Sequence, residues 1–162
     1  MQGVQRTQRR RRLEGKTDYK ARFYLLRSGK PRVVFRKTNR YLLAQIVVSE
    51  IAKDKVIASA STKDLMKYGW PEKLSGSLKS LPAAYLMGWL LAKKSKEVSD
   101  GILDIGLLKH VPKSRIYAFV KGLRDAGFDI PCKEETLPNE EMINQKEETA
   151  KLINQLKEKL AK

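Results

Sequence analysis

Cysteine occurs once in the 162 residues, at Cys132, and histidine once, at His110. One cysteine excludes an intramolecular disulfide framework and fits a reducing compartment. One cysteine and one histidine also leave no zinc-ligand spacing. The ten glycines form neither GxGxxG nor a P-loop, so no phosphate-cradling loop of those kinds is present. The longest strongly apolar run, YLMGWLLA (Tyr85–Ala92), is eight residues, against the ~20 needed to span a bilayer. No apolar h-region follows the first basic residues, so nothing there resembles a signal peptide. Acids are scarce as well: 18 Asp+Glu stand against 34 Lys+Arg, a net charge of +16. These absences set the expectation of a soluble cytoplasmic protein, without membrane, cofactor or small-molecule substrate, whose partners are polyanions.

What is present is concentrated. Residues 1–40 hold fourteen Lys+Arg and two acids, a net of +12, while residues 41–131 carry +5 and residues 132–162 carry −1. Arginine outnumbers lysine ten to four in the first quarter, whereas lysine leads twelve to two in the middle. A solvated tail needs only charge. Arginine adds a planar, forked donor that grips phosphates bidentately and stacks on bases. Tyr19, Phe23, Tyr24 and Tyr41 lie among these basics and offer further stacking partners. RTQRRRRLEGKTDY (Arg6–Tyr19) therefore reads as an arm for nucleic acid, disordered when free. It has no apolar face for a membrane-surface helix.

The rest of the chain reads as βββαβα. RVVFRKT (Arg32–Thr38) is a strand with Val33 and Phe35 on one face and Arg32, Val34 and Arg36 on the other. YLLAQIVVSE (Tyr41–Glu50) and VIASAS (Val56–Ser61) follow, separated by turns at Thr38–Asn39–Arg40 and Asp54–Lys55, so the three make an antiparallel meander. Thr62–Leu81 is a long polar loop with one helical turn. Pro82 opens a helix, ILDIGLL (Ile102–Leu108) is a buried strand, and Ser114 caps a helix whose core positions are Ile116, Phe119, Val120 and Leu123. Phe23, Val33 and Phe35 are assigned to the core. The helix between strands three and four allows a crossover onto a parallel pairing. The expected fold class is α/β: a single domain with one mixed sheet. It divides into an arm (1–20), a core (21–132) and a charged C-terminal helical tail (133–162). The tail either docks on a partner or frays in solvent.

No catalytic constellation emerges. His110 sits at a proline turn, Cys132 has no histidine near it in sequence, and Asp100, Asp125 and Asp129 read as turn, helix-end and loop residues. Asp104 is an acid inside an apolar strand, facing a backbone turn or a basic neighbour. No enzymatic activity is expected.

The run DYKARFYLLRSGKPRVVFRKTNRYLLAQIV (Asp18–Val47) resembles the N-terminal part of the universal large-subunit ribosomal protein number eighteen, in its archaeal and eukaryotic branch. ASAST (Ala58–Thr62), YGW (Tyr68–Trp70), PAAYLMGWLLA (Pro82–Ala92), LDIGL (Leu103–Leu107) and DAGFDIP (Asp125–Pro131) match in the same order, so the resemblance covers residues 5–132. It implies a ribosome-bound protein that binds 5S ribosomal RNA and helps attach it to the large-subunit RNA in the central protuberance, beside other proteins of that region. It also implies a core related to half of a ribonuclease-H-like fold, without catalytic carboxylates. A general basic nucleic-acid-binding protein with no unique target is the alternative.

On that reading Arg6 and Arg9, Arg10, Arg11 and Arg12 neutralise phosphates, continued by Lys16, Thr17, Tyr19, Arg22, Arg27, Lys30 and Lys37. Arg32 and Arg36 bind the backbone from a shared strand face. Asn39, Arg40 and Tyr41 reach a groove or loop. Ser59, Ser61, Thr62 and Lys63 supply small donors at the end of the third strand. Tyr68 and Trp70 stack on a base, with packing against the domain an equal alternative for Trp70.

Overall fold

In the computed structural model, residues 7–50, 53–95, 97–144 and 147–161 are described. Alternating apolar residues build the sheet. In β1 (Arg32–Lys37), Val33 and Phe35 point to one side and are buried. β1 runs antiparallel to β2 (Leu42–Glu50), in a register from Arg32↔Val47 to Lys37↔Leu42. β2 pairs antiparallel with β3 (Lys53–Ser61), and β4 (Ile102–Asp104) adds parallel to β1 with Val34 opposite Asp104. The order is β3-β2-β1-β4, so the meander and the parallel fourth strand are both present in one mixed sheet.

Two boundaries differ from the sequence reading. β3 begins at Lys53, placing Asp54 and Lys55 inside the strand rather than in a turn. Between Ile46↔Ala58 and Val47↔Val56 the register shifts, leaving Ile57 as the extra residue of a bulge. The bulge turns Val56 out of the apolar face held by Ala58 and Ala60, and Val56 is exposed. β4 ends at Asp104 because Gly106 reverses the chain at φ +62, its N–H donating to Asp104 Oδ1 at 2.9 Å.

The helices are α1 (Arg10–Leu13), α2 (Tyr19–Arg27), α3 (Leu65–Tyr68), α4 (Leu81–Lys94), α5 (Arg115–Asp125), α6 (Glu140–Ile143) and α7 (Glu147–Ala161). α4 starts at its Ser80 cap with Pro82 in the first turn. It crosses α5 backbone to backbone. A Cβ at Gly122 would lie 2.0 Å from the Tyr85 carbonyl oxygen, and one at Gly88 would lie 2.3 Å from that of Phe119. Only glycine permits this approach. Phe35 meets Phe119 across the sheet–helix interface at 5.2 Å between ring centroids, and the four core positions expected on α5 are all buried.

The loop from Thr62 to Leu81 is more ordered than its polarity suggests, with two short 3-10 segments flanking α3. Leu65, Trp70 and Leu78 anchor it in the core. In the described part of the C-terminal tail, α7 packs on α4 of the same chain, burying Ile153 and Leu156 with Ile143 in the common core. Each such aliphatic side chain contributes roughly 1.5–3 kcal/mol. No helix among the described residues is long and apolar enough to cross a membrane.

Candidate nucleic-acid interface

The arm has more local order than expected. Asp18 accepts from the N–H groups of Lys20 and Ala21, at 2.9 and 3.0 Å, and so caps α2. Gly29 lies past the helix end at φ +66, where glycine favours termination. No residue of α2 is buried, so its stability cannot come from packing on the core. Arg9 lies over the Tyr19 ring at 4.7 Å, and Arg11 Nε donates to Thr17 Oγ1 at 2.8 Å. Arg9–Arg12 are all exposed, and Arg6 lies outside the described residues. Phe23, assigned to the core from sequence, is 60% exposed, and Tyr24 is 58% exposed. Their rings meet edge to face at 5.7 Å. Phe23 is uncovered because its helix lies outside the sheet–helix sandwich.

One charged chain links α2 to the sheet. Arg22 Nη2 approaches Asp54 Oδ2 at 3.3 Å, and Arg32 Nη2 approaches the same oxygen at 3.0 Å. Arg32 Nη1 pairs with Asp104 Oδ2 at 3.2 Å, and Arg36 Nη2 with Asp104 Oδ1 at 2.9 Å. Arg36 also donates to the Asp104 carbonyl. The hydrogen bond from Ser49, at 2.6 Å, holds the Asp54 carboxyl below the usual carboxylate range despite some desolvation, and Arg32 and Arg22 act in the same direction. Asp104 is therefore the hub of two arginines and a tight turn. Both alternatives weighed for it, a backbone turn and a basic neighbour, are realised together.

This geometry corrects the assignments of Arg32 and Thr62 and, for Trp70, selects packing over stacking. Arg32 is 3% exposed, so its guanidinium belongs to the ion pairs beneath the surface, while Arg36 beside it is half exposed. Thr62 is fully buried, its Oγ1 accepting from the Leu42 N–H at 3.0 Å. Trp70 is buried, with Nε1 donating to the Leu74 carbonyl at 3.2 Å. These three hold the fold and present no side chain to a partner.

The remaining positions are at the surface. Lys16, Arg22, Arg27, Lys30, Lys37, Asn39, Arg40, Ser59 and Lys63 are exposed, and Thr17, Tyr19, Tyr41, Ser61 and Tyr68 are half-buried. Lys63 Nζ lies 4.6 Å from the Tyr41 ring centroid, beside the Asn39–Arg40 turn. Ser61 is engaged locally: its Oγ accepts from the Lys63 N–H, and its own N–H donates to Asp64. Between the arm and β4 runs a groove of about 690 Å³, with Arg11, Lys16, Arg22, Arg36 and Lys37 along it. Its two carboxylates, Asp18 and Asp104, are occupied by the helix cap and the ion pairs. The arrangement can hold a polyanion and stack exposed bases. Among the described residues no group of three or more His, Cys, Asp or Glu side chains could hold a metal ion.

Comparison with known proteins agrees with this chemistry. A family model described as "Ribosomal large subunit proteins 60S L5, and 50S L18" matches residues 4–100. The "Large ribosomal subunit protein uL18" of Korarchaeum cryptofilum is 52% identical over 136 residues, covering 83% of this chain and 68% of its own length. The protein of the same name from Methanoculleus marisnigri is 48% identical over 136 residues, covering 83% and 75%. That of Methanospirillum hungatei is 45% identical over 134 residues, covering 82% and 74%.

Proposed function

Since the chain belongs to the ribosomal large-subunit family of the 60S L5 and 50S L18 proteins, and is thus a structural component of that subunit, we propose that it binds 5S ribosomal RNA. In the same reading it helps attach that RNA to the large-subunit RNA in the central protuberance, among the proteins of that region. The family supplies the candidate RNA, and the arm supplies the means of holding it. The observation that carries the reading is the exposed Arg9–Arg12 run and the uncovered Phe23–Tyr24 pair, which place Arg11 and Tyr24 in the lining of one cation-rich groove.

A-form RNA hides its base edges in a deep, narrow major groove, so recognition of duplex works through shape, phosphates and 2′-hydroxyls, and unpaired bases add stacking. Guanidinium groups satisfy the first need and the two rings the second. The role is one of binding and placement, without catalysis, on cytoplasmic ribosomes.

Competition between 5S ribosomal RNA and unrelated RNA duplexes, at physiological salt, tests the proposal. Preferential binding of 5S ribosomal RNA is expected. Equal binding would leave a general basic nucleic-acid-binding protein instead.

A further inference from the structure

A second groove, of about 450 Å³, lies where β1 ends and α5 begins. Lys37, Lys109, Lys113 and Arg115 line it, and among the described residues no carboxylate does. All four cations are exposed. Among the described residues none of them takes part in an ion pair, although Arg10, Lys16, Arg22 and Arg36 of the first groove and arm all do. The floor is apolar, with Leu81, Leu108 and Ile116, and Val111 at the rim is half exposed.

Two further features point to an anion here. Ser114 stands at the start of α5 without making the usual cap bond, and its Oγ is buried with no hydrogen-bond partner. The first-turn N–H groups of the helix therefore have no side-chain acceptor, and they carry the positive end of its dipole. Lys113 is the only non-glycine among the described residues with positive φ, at +57, held there by its N–H donating to the Thr136 carbonyl at 2.8 Å. A lysine kept in that conformation costs energy, and such outliers concentrate at functional positions.

We infer that this groove is a second binding site for phosphates of an RNA backbone. Lys37 and Leu108 line both grooves, so the second continues the first around the end of β4. Among the described residues its cations have no ion-pair partners to exchange, so phosphates add charge pairing without breaking any. The inference rests on the reading of the protein as RNA-bound, and it assigns to the α5 end the extra surface that joining two RNA segments requires.

The test compares the full chain with a triple variant, Lys109→Gln, Lys113→Asn and Arg115→Gln. Asn tolerates the left-handed conformation at position 113. A control replaces three exposed lysines elsewhere, Lys53→Gln, Lys55→Gln and Lys67→Gln. The probes are 5S ribosomal RNA and an unrelated RNA duplex, and the readout is the slope of log affinity against log salt. The triple variant is expected to lower the slope by about two to three on both probes, at roughly 0.7–0.9 for each phosphate that is no longer neutralised. The control is expected to leave it unchanged, and the fall is expected to persist when Arg9–Arg12 are also replaced by Gln. An unchanged slope in the triple variant, an equal fall in the control, or a fall that disappears without the arm charges each overturns the inference. Lack of preference for 5S ribosomal RNA in the full chain would defeat the 5S reading while leaving the slope comparison decisive for the groove.

Discussion

The arginines of the arm and the arginine of the first strand are the same residue in opposite surroundings. Arg9–Arg12 are exposed, the last three on a short helix that buries nothing, whereas Arg32 is 3% exposed and bonded to Asp104, Asp54 and Ser49. Counting charge along the chain gives both the same weight. Physically they do different things. An exposed guanidinium keeps its hydration and its freedom to meet a phosphate. A buried one has lost hydration, and its energy depends on carboxylates that must stay in place. Of the excess positive charge in the first quarter of the chain, Arg32 serves the sheet, while the arm's cations, among the described residues paired at most with the exposed-side Glu14, can turn to a partner. Arg36 stands between them, paired with Asp104 yet half exposed to the groove.

Experiments that separate the two regions rank by size. The largest effect is expected at the buried hub. Asp104→Ala removes the buried carboxylate of Arg32 and leaves it only the more exposed Asp54, and should reduce stability by about 3–5 kcal/mol, read by chemical denaturation. Replacing the pair together, Arg32→Met with Asp104→Leu, should recover much of that stability, because two buried charges are removed at once. If the single and double variants were equally destabilised, the ion pairs would not be what holds Arg32 in the sheet.

The arm's aromatic pair comes next. Phe23→Ala should change stability by less than about 0.5 kcal/mol, since the ring is exposed. The same change should weaken 5S ribosomal RNA binding by about 1–3 kcal/mol if a base stacks on the ring. A destabilisation typical of a core phenylalanine would return Phe23 to the interior.

The smallest effect concerns the link between the regions. Asp54 has a lowered pKa in the folded protein, so its contribution is present above the unfolded carboxyl's ~3.9. It is lost as pH falls through the lower folded value. The side chain is 40% exposed, and solvent screening keeps the contribution below about 1 kcal/mol. Stability measured from pH 5 downward should show this fall in the native chain, and a correspondingly smaller one in Asp54→Asn. Identical acid profiles would remove Asp54 as the titrating link.

The sheet and its main helices were legible because their information is local. Val33 and Phe35 alternate, the β1–β2 turn is marked by Thr38–Asn39–Arg40, and Ile116, Phe119, Val120 and Leu123 repeat at helical spacing. α2 was missed because it has no apolar stripe, yet its punctuation was readable: Asp18 begins it, and no glycine or proline follows until Gly29. The burial of Arg32 was hidden for another reason. Its partner Asp104 is 72 residues away, and only the parallel pairing of β1 with β4 brings them together. The bulge at Ile57 had no signal, since neither glycine nor proline marks it. The basic groove at α5 draws one residue from β1 and three from around the helix start, so no charge run in the sequence announced it. The arm was legible as an electrostatic element and Tyr24 as a stacking partner, but the exposure of Phe23, assigned to the core, was not.

The central claim is that the exposed arm, and not the buried strand arginine, is the main electrostatic anchor for RNA. The direct measurement is the affinity for 5S ribosomal RNA across 50–200 mM salt, for the full chain and for a variant with Arg9–Arg12 replaced by Gln. The full chain, if it neutralises six to ten phosphates, should lose roughly 10³–10⁵ in affinity over that range. The variant should bind more weakly at low salt, with a slope smaller by about three and an unchanged unfolding temperature. An unchanged slope with the four arginines gone would contradict the account and move recognition onto the sheet and its loops.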